Sequence, residues 1–179
     1  MRIIAGTHKS RKLKTLSGDN TRPSSDRLKE ALFNKIGPYF NGETILDIFS
    51  GSGAISFEAL SRGMSHATCI EKSRKAQRII IENAKDLKLE NKLDCILGDA
   101  KGIIGTLKMK YDIIFMDPPY DYQDTQMILE MLHPYLKDAG TIFVETDKFT
   151  TLPDKTEHFV KVEEKQYGFA KIHTYEMSQ

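Results

Sequence analysis

The chain has 179 residues, 40% hydrophobic and 28% charged, enough to bury one real core and fitting a single domain with a small appendage. It contains no transmembrane-length apolar run, and Met1-Arg-Ile-Ile-Ala-Gly6 is no secretory leader, so a membrane protein is excluded and a cytoplasmic one expected. The net charge of +1 hides an asymmetry: residues 1–40 hold nine basic against three acidic residues, a balance of +6, leaving −5 for the remainder. A basic arm on an acidic body suits a polyanion such as nucleic acid, and is equally compatible with a plain solvated face. Cys69 and Cys95 lie in apolar runs without metal-ligand or Cys-x-x-Cys spacing, so both are expected as reduced core thiols.

Residues 1–20 mix short apolar pieces (Ile3-Ile4, Leu13, Leu16) with basic residues and glycines, which predicts a short hairpin or extended arm. Pro23 disfavours helix at Arg22, and Ser24 or Ser25 offers a cap for a helix carrying Leu28, Ala31, Leu32 and Ile36. Gly37-Pro38 should end it. From residue 41 apolar runs alternate with helical patterns. Strands are predicted over Thr44–Ile48, His66–Ile70, Leu93–Leu97, Tyr111–Met116 and Thr141–Glu145. Between them come helices from Ala54 to Arg62, after the capping Ser73, from Ala100 to Leu107 and around Ile128–Leu132. Such alternation implies a doubly wound, mostly parallel α/β sheet covered on both faces. Phe159–Glu163 and Ala170–Tyr175, joined through Tyr167-Gly168, read as a terminal antiparallel hairpin at the sheet edge. The division expected is a basic extension over 1–40, packed on a catalytic unit over 41–179.

Ligands of such sheets bind beyond the carboxyl ends of the strands. Four successive strand ends carry polar chemistry: Asp47 with Ser50, Gly51 and Gly53; Glu71; Asp99 with Ala100; and Asp117. A dinucleotide is one candidate, since Glu71 falls where a ribose-binding acid would. Against it, Ser56 stands where the dinucleotide fingerprint has Gly or Ala, and Asp47 would face a pyrophosphate with like charge. A cofactor bearing an ammonium and a sulfonium would be attracted instead. S-adenosylmethionine has both, with a ribose for Glu71 and an adenine amino group for Asp99. The strand Tyr111–Met116 then stops at Asp117-Pro118-Pro119-Tyr120. Prolines donate no backbone N–H, so their carbonyls beside a carboxylate and a ring suit a flat base with an exocyclic amino group. A strand-ending turn is the plainer reading of that tetrapeptide alone.

Leu46-Asp-Ile-Phe-Ser-Gly-Ser-Gly53 with Asp117-Pro-Pro-Tyr120 resembles the class I S-adenosylmethionine-dependent methyltransferases that act on exocyclic amino groups. Arg2-Ile-Ile-Ala-Gly6, Lys9-Ser-Arg-Lys-Leu13 and Thr21-Arg-Pro-Ser-Ser-Asp-Arg-Leu-Lys-Glu-Ala-Leu-Phe-Asn34 further resemble the bacterial 16S ribosomal RNA guanine-N2 methyltransferase family, from residue 2 to the terminal hairpin. Ser10 stands where that family has Gly, and Ala170 where a hydroxyl residue is common. The resemblance implies a seven-stranded sheet, methyl transfer to guanine N2, and a catalytic Asp117, Pro118, Pro119 and Tyr120. It also implies an N-terminal extension that helps hold RNA, with Arg2, Lys9, Arg11, Lys12, Lys14 and Arg22 as candidates. Ribosomal RNA or the small ribosomal subunit is the expected partner, and a monomer without metal the expected state.

Adenine-N6 methylation of DNA or RNA shares the Asp-Pro-Pro-Tyr motif and is the nearest alternative. A non-catalytic RNA-binding module would leave the acidic strand ends unemployed. An NAD(P) oxidoreductase would draw on the Tyr167-x-x-x-Lys171 spacing, but on a hairpin those side chains do not stack as they do on a helix.

Overall fold

The computed structural model describes residues 1–17 and 23–179. Seven strands form one sheet: β1 (Thr44–Ile48), β2 (His66–Glu71), β3 (Leu93–Leu97), β4 (Tyr111–Met116), β5 (Leu136–Asp147), β6 (Phe159–Tyr167) and β7 (Ala170–Met177). Their order is β3-β2-β1-β4-β5-β7-β6. The first five run parallel, while β7 pairs antiparallel with both β5 and β6. The helices are α1 (Pro23–Ile36), α2 (Ala54–Ser61), α3 (Arg74–Leu87), α4 (Ala100–Ile104) and α5 (Thr125–Met131). None is long and apolar enough to cross a membrane.

Burial on both faces explains why the central strands are continuously apolar, since a parallel sheet is covered on each side. On one face Ile45, Ile113, Phe115 and Phe143 pack with Leu28, Leu32 and Phe33 of α1, Phe57 of α2 and Ile80 of α3. On the other, Leu46, Ile48, Met116, Ile142 and Val144 pack with Ile104 of α4 and Ile128 and Leu129 of α5. Side chains alternate along each strand. Hence Asp47, Asp117 and Glu145, each two residues beyond a member of the first cluster, face the α1 side.

The N-terminal arm is folded onto this body. Arg2 and Lys12 form an isolated antiparallel bridge, and Ile3 and Leu13 enter the first core cluster. Gly6 lies against α2 at φ 90°, where an added Cβ would fall 1.8 Å from the Ser61 carbonyl oxygen, so only glycine lets the backbones meet. The buried Glu58 accepts from the N–H groups of Ile4 (2.9 Å) and Ala5 (3.2 Å) and from Arg62 Nε (2.8 Å). Lys29 Nζ lies 3.4 Å from the same carboxylate and donates to the Arg2 carbonyl at 2.7 Å.

Several elements differ in extent from their expected bounds. The first helix starts at Pro23, so Ser24 and Ser25 lie inside it rather than at its cap; proline favours the first helical position, where its missing N–H has no partner to lose. Arg22 and Thr21 lie outside the described residues. Helix α4 ends at Ile104, capped at Gly105, instead of reaching Leu107. Strand β5 begins at Leu136, not Thr141: Asp138-Ala139-Gly140 looks like a turn, but a register shift opposite Tyr111 and Ile113 absorbs it. Both hairpin strands are longer, reaching Tyr167 and Met177.

Candidate active site

The site lies at the carboxyl ends of β1 to β5, where the strand order reverses between β1 and β4. After β1 the chain turns sharply into α2. Phe49, Gly51 and Gly53 all have positive φ (62°, 55° and 79°). At Gly53 an added Cβ would stand 2.9 Å from the Phe57 ring, so the turn and the helix packing both require glycine. Phe49 is a bulky residue held in left-handed conformation, a strain that persists where surroundings enforce it. Its ring packs edge-on against Tyr122, with centroids 5.1 Å apart.

Glu71 clamps the turn. Its Oε2 accepts from Gly51 N–H and its Oε1 from Ser73 N–H, both at 2.8 Å. Each carboxylate oxygen has further lone-pair capacity for a ligand hydroxyl. Asn83 of α3 is a buried strut: it donates to the carbonyls of Ser52 (3.4 Å) and Lys14 (3.1 Å) and accepts from Lys14 N–H (2.9 Å). It ties the glycine turn to the arm.

Asp47 is only 2% exposed. Burial pushes its carboxyl up to about 7, opposed by a 2.8 Å hydrogen bond donated by Ser56 Oγ and reinforced by the neighbouring Asp117 and Glu71. Ser56, noted as a departure from the dinucleotide fingerprint, is therefore the partner of the first-strand carboxylate. Asp99 caps α4, accepting from Lys101 N–H at 3.2 Å, and stays exposed at the rim with Ala100 buried behind it.

Met116 and Val144 are register partners, so Asp117 and Glu145, one step further along β4 and β5, stand side by side. Desolvation raises both carboxyls above the usual carboxylate range, and Asp117 pushes Glu145 further up. Asp117 is an exposed residue at the mouth of the cavity, while Glu145 beside it is half-buried. Beyond it the chain turns, with Tyr122 N–H donating to the Pro119 carbonyl at 2.9 Å, and Tyr120 projects outward, 68% exposed.

Two cavities adjoin here. The larger, about 510 Å³, is lined by Gly51, Glu71, Asp99, Ala100, Asp117 and Pro118 among others, together with Pro119, Tyr120, Tyr122 and Glu145. The smaller, about 250 Å³, lies under α1 and is lined by Leu28, Leu32, Asp47, Ser50, Asp117 and Glu145, with Lys29 and Met1. Asp117 and Glu145 line both. The strand-end residues expected from sequence thus converge on this pair of cavities, with Gly53 supporting the turn from behind.

Glu145, Phe49 and Tyr122 were not anticipated. Glu145 carried a signal, since it is the acidic end of a fifth strand in the same series as the other four. Phe49 and Tyr122, 73 residues apart in sequence, carry no pattern that joins them.

The basic residues of the arm behave differently. Arg2, Lys9, Arg11, Lys12 and Lys14 are exposed, and none of them lines either cavity. Lys14 is engaged by Glu82 (3.3 Å) and Asp86 (3.2 Å) of α3, and Arg11 Nη2 donates to the Asp86 carbonyl at 2.9 Å. Among the described residues no group of three or more metal-binding side chains comes together. The two cysteines are free thiols on adjacent strands, both raised in pKa by burial.

A family model described as conserved hypothetical protein 95 matches residues 1–176. The YlbH protein of Bacillus subtilis is 36% identical over 180 residues, spanning 98% of this chain and 98% of its own. Ribosomal RNA small subunit methyltransferase D of Haemophilus influenzae is 32% identical over 183 residues, spanning 98% of this chain and 93% of its own. Among solved structures, the yhhF protein of Escherichia coli matches with a TM-score of 0.85 at 30% identity, covering 99% of this chain and 98% of that one.

Proposed function

Because the chain belongs to the family described as conserved hypothetical protein 95, whose relatives include a ribosomal RNA small subunit methyltransferase, we propose that it methylates ribosomal RNA. The acceptor we infer is the N2 amino group of a guanine in 16S ribosomal RNA, and the methyl donor S-adenosylmethionine. The observation that carries the reading is the placing of Asp117 at the wall common to both cavities, beside the prolines and Tyr120.

The residues present fit that donor. Asp47, Asp117 and Glu145 face the smaller cavity beside Lys29, and their raised carboxyls ionise more readily against a cationic ligand than against a pyrophosphate. The larger cavity falls in the size range of small-molecule sites. Glu71 would take the ribose hydroxyls, Asp99 and Ala100 the adenine, and Asp47, Ser50, Gly51 and Gly53 the amino-acid end. When bound, the cofactor supplies an electrophilic methyl group already activated by its positive charge.

What remains for the protein is orientation and proton handling. Asp117 would accept one amino N–H of the base and the Pro118 carbonyl the other, fixing the nitrogen lone pair, while the Pro119 carbonyl is occupied by Tyr122. Orientation of this kind is worth roughly 7–11 kcal/mol, and proton acceptance by Asp117 about 10²–10⁴-fold. Glu145 beside it would hold the pair's second proton. Tyr120 would stack on a base taken out of its helix. Residues 1–40 are read as an extension that grips RNA phosphates through Arg2, Lys9, Arg11, Lys12, Lys14 and Arg22, on a catalytic unit of 41–179. The protein is read as a cytoplasmic monomer.

The test is to incubate the protein with radiolabelled S-adenosylmethionine and naked 16S ribosomal RNA, assembled small subunits or DNA, and to identify the modified nucleoside. N2-methylguanosine is expected. N6-methyladenine would move the assignment to the alternative that shares the Asp-Pro-Pro-Tyr turn, and absence of transfer to any of the three would overturn the reading.

A further inference from the structure

Lys148, Phe149 and Phe169 form a constructed surface that the cofactor and amino-group chemistry leaves unused. Phe149 is 81% exposed and Phe169 73%. The Lys148 ammonium lies over both rings, 5.0 Å from one centroid and 4.7 Å from the other. Scattered exposed phenylalanines are ordinary. These two differ because a network of polar contacts fixes the backbone that carries them, and Lys148 lies over both rings. Asp147 Oδ1 accepts from the N–H groups of Phe149 (2.7 Å) and Thr150 (2.9 Å), and its Oδ2 from the Thr150 hydroxyl (2.9 Å). Lys148 N–H donates to the Phe169 carbonyl at 2.9 Å, and Lys171 Nζ to the Thr150 carbonyl at 3.1 Å. Those bonds to Asp147 also hold its carboxyl below the usual range.

The rings also stand in a telling place. Phe149 follows the carboxyl end of β5 and Phe169 precedes β7, which puts both at the same end of the sheet as Asp117 and Glu145. Asp147 and Thr150 share a narrow cleft with Pro118, Pro119 and Tyr120. A second cation–aromatic pair, Lys165 over Tyr167 at 5.3 Å, continues along the hairpin. Interleaved cations and aromatic faces beside a base-acting turn match single-stranded nucleic acid, whose bases offer π-faces and whose backbone offers phosphates. A loop whose backbone is already fixed loses less freedom on binding.

We propose that Phe149 and Phe169 are a stacking platform for an unpaired nucleobase of the RNA substrate, flanking the base presented to Asp117, with the Lys148 ammonium turning to the adjoining phosphate. The inference rests on the reading of RNA as substrate.

The test measures binding of the whole protein to a fluorescent single-stranded oligoadenylate across a range of salt, beside the KM for 16S ribosomal RNA in methyl transfer. Phe149→Ala and Phe169→Ala should each weaken oligonucleotide binding roughly 5- to 100-fold without changing its salt slope. Phe149→Trp should restore it. Lys148→Ala should instead lower the salt slope by about one. Melting temperature and S-adenosylmethionine affinity should stay at wild-type values throughout. A Phe149→Ala/Phe169→Ala variant with wild-type oligonucleotide affinity and wild-type KM would overturn the platform while leaving the methyltransferase reading intact. Loss of binding to assembled small subunits alone would overturn it too, by pointing to a protein contact. Conversely, ring-dependent oligonucleotide binding by a protein that methylates no RNA would sustain the platform and remove the proposed reaction.

Discussion

Ser56 on the first turn of α2 donates a 2.8 Å hydrogen bond to Asp47 Oδ2 at the end of β1, and so steadies the most buried carboxyl of the site. Burial and the nearby Asp117 and Glu71 favour the protonated form of Asp47, while Ser56 favours the ionised one. A hydrogen bond to a charged group is worth about 1.5–3 kcal/mol. Ser56→Ala should therefore weaken S-adenosylmethionine binding roughly tenfold or more near pH 7, with the deficit shrinking as pH rises to 9. Titration calorimetry at several pH values checks this, and a loss independent of pH would contradict the role.

Asp47 should also make folding of the ligand-free protein pH-dependent. Its folded pKa of about 7 exceeds its unfolded value near 3.8, so the native state retains a proton that the unfolded chain releases. Stability from this group is full below the unfolded value and falls as pH rises through about 7. His173 opposes it: burial lowers its pKa to about 4, so stability from that group falls as pH drops below 6.5. The informative quantity is the difference between wild type and Asp47→Asn in urea unfolding. The variant should gain relative to wild type between pH 5 and pH 8, and a constant difference would refute the assignment.

Asp117→Asn keeps the shape of the side chain and removes its capacity to take a proton. Turnover should fall by at least about 10²-fold while the cofactor dissociation constant changes little. Single-turnover methyl transfer with equilibrium dialysis separates the two effects. Near-normal transfer would exclude Asp117 as acceptor.

The anchoring of the arm rests on Glu58, which serves two backbone N–H groups, Arg62 and Lys29. Glu58→Ala strips the buried Arg62 of its carboxylate and leaves the buried Lys29 with Asp26 alone, 3.8 Å away, and breaking such a network costs about 3–5 kcal/mol. A lowered melting temperature should be accompanied by earlier proteolysis at Lys9, Arg11 and Lys12, with cleavage elsewhere delayed. If the whole chain became uniformly labile, the arm would be no more dependent on Glu58 than the rest.

Salt should distinguish the arm's basic residues from one another. Lys9, Lys12 and Lys14 are all exposed, but Lys14 is already paired with Glu82 and Asp86. Lys9→Ala and Lys12→Ala should each reduce the salt slope of RNA binding by about one, and Lys14→Ala by less. Filter binding across salt concentrations would show equal slopes if the pairing of Lys14 were irrelevant.

Apolar periodicity alone specified the alternation of strands and helices, because a parallel sheet buried on both faces demands continuous apolar strands and one-sided helices. The glycine turn after β1, the acidic strand ends and the Asp-Pro-Pro-Tyr turn were legible for the same local reason: each depends on φ restrictions or on charge at a strand end. Ends of elements were less so, as at Leu136–Gly140, where turn-forming residues are carried within a strand by a shift of register. Only the tertiary structure decided what these pieces meet. Glu145 adjoins Asp117 because β5 pairs with β4, and Phe169 reaches Lys148 because β7 pairs with β5. Ser56 finds Asp47, and Glu58 and Asn83 hold the arm, through contacts between segments whose separation along the chain bears no relation to their separation in space. Local chemistry records which face of an element is buried; sheet order and register determine its neighbours, and the character of this site lies in those neighbours.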